Sequence, residues 1–283
     1  MPPFRRPVVA DQFYEGDAEA LKLQINSCFL SNLGPGKLPE VNMHFHPRRI
    51  VGLVCPHAGY LYSGPIAASG YFELARDGLP DTVVLLGPNH TGYGSGLSLM
   101  RKGTWQTPLG DVEVDTALAD AVLSETSIVD VDEAAHRFEH SIEVQLPFLQ
   151  YLYGDKFKIV PICFLMQDYD SAVEVGRALT EALDAKNAVV IASSDMTHYE
   201  PAKVAEKKDR AALDAVVALD SRRFYETIEN QNITACGYAP ITALITYVQG
   251  VNAKAELLSY HNSGDTSGDY SSVVGYASVV FKK

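Results

Sequence analysis

Three short, wholly apolar runs of this chain each end in a turn that carries a histidine. Ile50 to Cys55 runs into Pro56-His57-Ala58-Gly59-Tyr60. Thr82 to Leu86 runs into Gly87-Pro88-Asn89-His90, and Ala188 to Ala192 into Ser193-Ser194-Asp195-Met196-Thr197-His198. Such runs are β-strand in type, and helical patterns separate them. That alternation predicts an α/β fold with a mostly parallel or mixed central sheet flanked by helices on both faces. In such a sheet the strand C-termini share one edge, where ligands bind. Three imidazoles and an acid from distant parts of the sequence are thereby brought to one crevice. Two or three imidazoles with an acid suit a divalent metal.

Strands are expected near 50–55, 82–87, 157–163, 188–193, 255–261 and 273–281. Helices are expected near 18–30, 65–76, 115–124, 142–153, 170–185, 202–218, 221–230 and 238–249. Asp17 stands where an N-cap of the first helix belongs. Residues 34–40, rich in Gly and Pro, read as a loop. The connection Asn262 to Asp269 is too short for a helical crossover, so the last two strands should pair as a hairpin, with the Ser/Gly/Asp-rich stretch Ser263 to Ser272 as its loop. Its aspartates and lack of Lys or Arg argue against a phosphate cradle. No linker or repeat divides the chain, which reads as a single domain over 1–283.

With 47% hydrophobic and 20% charged residues, a core of ordinary size is expected. The formal net charge of -12 opposes non-specific binding to nucleic acid or to anionic membrane surfaces. No run reaches the ~18 apolar residues of a membrane span, and no signal-type stretch opens the chain. A cytoplasmic location is the default expectation. The four cysteines show no CxxC spacing, so a zinc knuckle is not expected. Cys55 and Cys163 read as buried thiols.

Further residues bear on the crevice. Asp195 lies three positions before His198 and is expected to orient it and raise its basicity. His140, in Glu139-His140-Ser141-Ile142-Glu143, reads equally well as a site imidazole or as a helix cap among surface carboxylates. His136, His44 and His46 are expected to face solvent. Cys236 precedes a helical pattern with Pro240 in its first turn. A helix N-terminus there would stabilise its thiolate, the form that binds metal.

These segments, with Ala235-Cys236-Gly237 and the early Ala10-Asp11-Gln12-Phe13-Tyr14, together resemble the Memo family. The resemblance runs through nearly the whole chain in order. It implies a fold similar to the class III extradiol ring-cleaving dioxygenases. Those enzymes hold non-haem Fe(II) with two histidines and a carboxylate, and a further histidine serves as acid/base. By resemblance, His57 and His90 are metal histidines, Cys236 is the third ligand, and His198 is the acid/base. Asp195 and His140 would assist it. Fe(II) is the implied metal, with copper or zinc as alternatives. A thiolate in place of a carboxylate alters charge donation at iron and counts against ring cleavage. The family is also associated with redox chemistry and cell motility in eukaryotes, and with AMMECR-type and radical-SAM proteins in prokaryotes.

Three functions therefore stand open: a metal-dependent redox enzyme, a module that binds a peptide or small ligand in the crevice, and a metal-dependent hydrolase.

Overall fold

A computed structural model describes residues 3–43 and 48–283; His44 and His46 lie outside the described residues. In chain order the elements are β1 (Phe4–Arg5), α1 (Ala18–Leu30), β2 (Ile50–Cys55), α2 (Tyr60–Arg76), β3 (Thr82–Pro88), β4 (Leu97–Leu99), β5 (Thr104–Thr107) and β6 (Gly110–Glu113). Then follow α3 (Thr116–Ser124), β7 (Asp130–Val131), α4 (Leu146–Tyr153), β8 (Lys158–Phe164), α5 (Tyr169–Ala182), β9 (Ala188–Ser193) and β10 (His198–Glu200). The chain closes with α6 (Ala202–Val217), α7 (Ser221–Asn230), α8 (Tyr238–Gly250), β11 (Lys254–Asn262), α9 (Gly264–Ser267) and β12 (Val273–Lys282).

The main sheet has the order β10-β12-β2-β9-β3-β8-β4-β7, with β11 also pairing β12. Its centre, β2-β9-β3-β8, is parallel throughout. Every residue of β2, β3 and β9 is buried, as both faces of a covered parallel sheet require. Alternate side chains serve opposite layers. Val84, Leu86, Val190 and Ala192 pack with α5 and α8, while Val83, Leu85, Val189 and Ile191 pack with α1, α2 and α4. β12 runs antiparallel to both β2 and β11, so the sheet is mixed and the expected terminal hairpin forms. Its connection contains the single turn α9 and Gly268 at φ 79°, a left-handed position that glycine takes without strain.

Asp17 caps α1 by accepting from the Glu19 and Ala20 amides. The helix α2 starts at Tyr60, before the expected 65, and keeps Pro65 inside it. β1, β5 and β6 form a small separate sheet. These strands, like β4 and β7, span only two to four residues, too few to show a period in the sequence. No helix among the described residues is long and apolar enough to cross a membrane.

Candidate metal centre

Strand register aligns the functional turns. Cys55 at the end of β2 pairs with Ser193 at the end of β9, and Leu86 of β3 pairs with Ala192. The turns bearing His57, His90 and Asp195 therefore leave the sheet at one level. Asp195 ties two of them together. One carboxylate oxygen accepts the His57 amide at 2.8 Å and the Ala58 amide at 3.3 Å.

Two glycines permit the close approach of the other segments. A Cβ on Gly237 would meet the Ser193 carbonyl oxygen at 2.4 Å, so only glycine lets the start of α8 press against the end of β9. That contact places Cys236. A Cβ on Gly87 would meet Ser141 Oγ at 2.5 Å, so glycine there admits the segment carrying Glu139 and His140. The Ser141 hydroxyl then donates to the Pro88 carbonyl at 2.7 Å.

Hydrogen bonding fixes the imidazole tautomers. The Ser193 hydroxyl donates its only proton to the Ser141 carbonyl at 2.6 Å. It accepts from the Gln145 amide at 2.8 Å, and Gln145 is held in that sense by the Tyr71 hydroxyl, which donates to Oε1 at 2.6 Å. His57 Nδ1, also 2.8 Å from Ser193 Oγ, must therefore be the donor. Burial, then the neighbouring imidazoles His140, His90 and His198, hold His57 well below the usual histidine range. It is neutral, with its lone pair on Nε2.

His90 is fixed similarly. Its Nδ1 donates to Glu139 Oε1 at 2.9 Å, and its backbone amide binds Glu139 Oε2. Burial opposes the charge on His90, but the Glu139 hydrogen bond and carboxylate outweigh it, and the histidine rises above its ordinary value. Glu139 Oε1 also accepts the His140 and Ser141 amides, at 2.8 and 2.9 Å. Burial alone would raise this carboxyl; the hydrogen bond and charge of His90, with its other partners, lower it to about 2. His198 donates Nδ1–H to the Thr234 carbonyl at 2.9 Å, again leaving Nε2 as the lone pair.

Two donor sets result. Ligand atoms of His57, His90 and His140 lie within 4.8 Å of one another, and so do those of His57, Asp195 and Cys236. The His90 and His140 rings stack with centroids 4.7 Å apart, and each lies 5.3 to 5.5 Å from His57. Cys236 Sγ is 3.2 Å from His57 Nε2. His57 thus joins both sets. His90 pairs with His140 more closely than with Cys236, a grouping the spacing of these residues did not predict.

Several expectations need correction. Asp195 does not hydrogen-bond His198; its carboxylate is engaged by the His57 turn, and Thr234 positions His198 instead. Cys236 does lie just before the α8 N-cap, Gly237, and is half-buried, but its expected ionisation does not follow. Burial and the Asp195 carboxylate push the Cys236 thiol up, against the expected thiolate, although the Asp195 amide donates to Sγ at 3.3 Å. His136 is not exposed but buried beside Trp105, and neither ring nitrogen has a hydrogen-bond partner. Glu139 and Glu143 are buried too, not surface carboxylates. Glu143 accepts from Arg5, the Val8 and Val9 amides and the Tyr14 hydroxyl, and so fastens the N-terminal segment to the site wall.

Glu139, Gln145 and Thr234 carry the second layer of the site, and sequence reasoning gave them no role. Glu139 had a usable signal, an acid beside His140 in a turn. Gln145 and Thr234 had none, because their partners lie on other elements.

Comparison with known proteins agrees with this architecture. The family model of Memo-like proteins matches residues 5–280. A MEMO1 family protein of Methanopyrus kandleri is 51% identical over 283 residues, covering 99% of each chain. One from Methanothermobacter thermautotrophicus is 50% identical over 276 residues, covering 96% of this chain and 98% of its own. Among solved structures, the uncharacterized protein JW3007 of Escherichia coli K12 superposes with a TM-score of 0.55, over 82% of this chain and 99% of that one. At 16% identity that likeness concerns the fold alone. By the span of the family match and the identity of its relatives, this chain belongs to the Memo-like family.

Proposed function

We propose that the crevice is a metal-dependent redox centre in which His57, His90 and Cys236 hold Fe(II), with His140 as a neighbouring donor. One observation carries this reading. His57 and His90 each spend Nδ1–H on a fixed internal acceptor, Ser193 and Glu139, and keep Nε2 as the lone-pair nitrogen, which on His57 accepts from the Cys236 thiol at 3.2 Å. Histidines that ligate metals are anchored this way, since the outer partner sets the tautomer and the ring orientation. The mixed imidazole and thiol donors suit iron, copper or zinc better than magnesium or calcium.

Bound Fe(II) would supply a redox-active Lewis acid with coordination positions left for a small ligand. The chain's own residues do the rest. Asp195 holds the backbone of the His57 turn. His198 would accept or return a proton, a role supported by the Thr234 carbonyl holding its Nδ1–H and leaving the Nε2 lone pair.

The three-imidazole set favours a second reading. Three imidazoles are a donor set that catalytic zinc uses to lower the pKa of bound water, which a hydrolase needs, and His57, His90 and His140 form such a set.

Metal analysis of protein purified without oxygen separates the two. The redox reading expects about one iron per chain, lost in His57→Ala and His90→Ala. Tight zinc in place of iron supports the hydrolase. No metal in either the native or the reconstituted protein removes both readings.

A further inference from the structure

We infer that a second, separate cleft binds a small carboxylate with an apolar body. The cleft has a volume of about 620 Å³, within the range of small-molecule sites. It lies between the N-terminal strand and the segment around Ala134 to Phe138. Phe4, Met100 and Phe138 supply apolar walls.

Three guanidinium groups reach this cleft, and they differ in availability. Arg5 is buried and committed. It pairs with Glu143, donates to the His136 and Glu139 carbonyls, and stacks 4.4 Å over Trp105. It is therefore a fixed part of the floor, with its charge already met by Glu143. Arg6 and Arg137 are exposed, and neither has an ion-pair partner among the described residues. Arg137 only leans on the Phe138 ring, 5.1 Å from its centroid. Glu133 is the one carboxylate in the lining.

In a chain of net charge -12, two unpaired arginines converging on an apolar cleft are a specific arrangement. A guanidinium binds a carboxylate through paired N–H groups, and the aromatic walls bury the remainder of the ligand. An inorganic anion would satisfy the arginines and leave the walls uncovered. A neutral apolar ligand would leave the arginines unmet.

The molecule carries its own reporter. Trp105 is the only tryptophan of the chain. It lies beneath Arg5, and its indole N–H donates to Met100 Sδ at 3.1 Å. Because Met100 lines the cleft, a ligand there should change tryptophan emission.

The test is a fluorescence titration of the full chain with phenylacetate, phenylacetamide and sulfate. Phenylacetate should give a saturable change, while phenylacetamide and sulfate should bind about tenfold more weakly or not at all. The double variant R6Q/R137Q should weaken phenylacetate about tenfold or more at an unchanged melting temperature. R210Q, on a distant helix, should leave binding as it was. Equal binding of the amide removes the carboxylate claim, and equal binding of sulfate removes the apolar one. No saturable change with phenylacetate, or an unaffected double variant, overturns the site altogether. Metal content plays no part in this readout, so the outcome is independent of the proposed redox centre.

Discussion

The Ser193 hydroxyl lies 2.8 Å from His57 Nδ1 and has already given its proton to the Ser141 carbonyl. His57 can then present only Nε2 to the crevice. The serine, not the histidine alone, decides which nitrogen faces a metal. Ser193→Ala removes the acceptor and frees the ring to change tautomer. Metal affinity, measured by competition with a chelator, should fall about 10–100-fold. The Ser141 carbonyl also loses its donor, and the Gln145 amide keeps only its second acceptor, the Pro56 carbonyl at 2.9 Å, so stability should drop by about 1–3 kcal/mol in thermal or denaturant unfolding. Unchanged affinity would show that the tautomer is held by something else.

His136 sets an acid limit on the metal-free fold. Burial, then the positive Arg5, lowers its pKa from 6.5 to about 4. Below pH 6.5 the unfolded chain takes up a proton that the folded state refuses until about pH 4. Stability is therefore lost as pH falls through that window, by about 3 kcal/mol for this group alone. His57, also depressed, acts in the same direction. His136→Leu should flatten the stability profile between pH 6.5 and 4 without abolishing its slope. Equal slopes in urea unfolding of both proteins would contradict this account.

The parts of the fold legible in the sequence were those with one dominant cause. β2, β3 and β9 are continuous apolar runs because both their faces are covered, and the turns after them deliver His57, His90 and Asp195 to one edge. The terminal hairpin followed from a connection too short for a crossover. What was not legible depends on contacts between distant segments. β5 and β6 exist because they pair with each other, and β5 also with β1, around Trp105, not because of their own composition. Asp195 stands three residues from His198 in sequence, yet its carboxylate is closer to the His57 backbone. Sequence proximity suggested the wrong partner. His136 is polar and lies in an irregular stretch, yet the N-terminal strand covers it.

His198 should separate proton transfer from metal binding. Its Nδ1–H is spent on the Thr234 carbonyl, and it belongs to neither donor set. His198→Ala should leave metal content nearly unchanged and reduce any turnover that the centre supports by about 10²–10⁴-fold. Loss of metal comparable to that in His57→Ala would move His198 into the coordination sphere.

Cys236 sits 3.2 Å from His57 Nε2 and carries a thiol that burial and Asp195 push up. A metal bound by this sulfur must displace the thiol proton, because only the thiolate is a ligand. Metal affinity should therefore rise with pH, by about tenfold per unit for one released proton. Co(II) loading should also give a thiolate-to-metal charge-transfer band. Cys236→Glu supplies a carboxyl, a stronger acid than a thiol in the same surroundings, which gives up its proton to the metal more readily. That variant should keep Fe(II), lose the charge-transfer band, bind Cu(I) more weakly and show a flatter pH dependence. Neighbouring imidazoles that must also lose protons add slope to both proteins equally, so the difference between them reports the sulfur. Identical spectra and identical pH profiles would return Cys236 to the role of a half-buried turn residue. The metal would then belong to the three imidazoles of His57, His90 and His140.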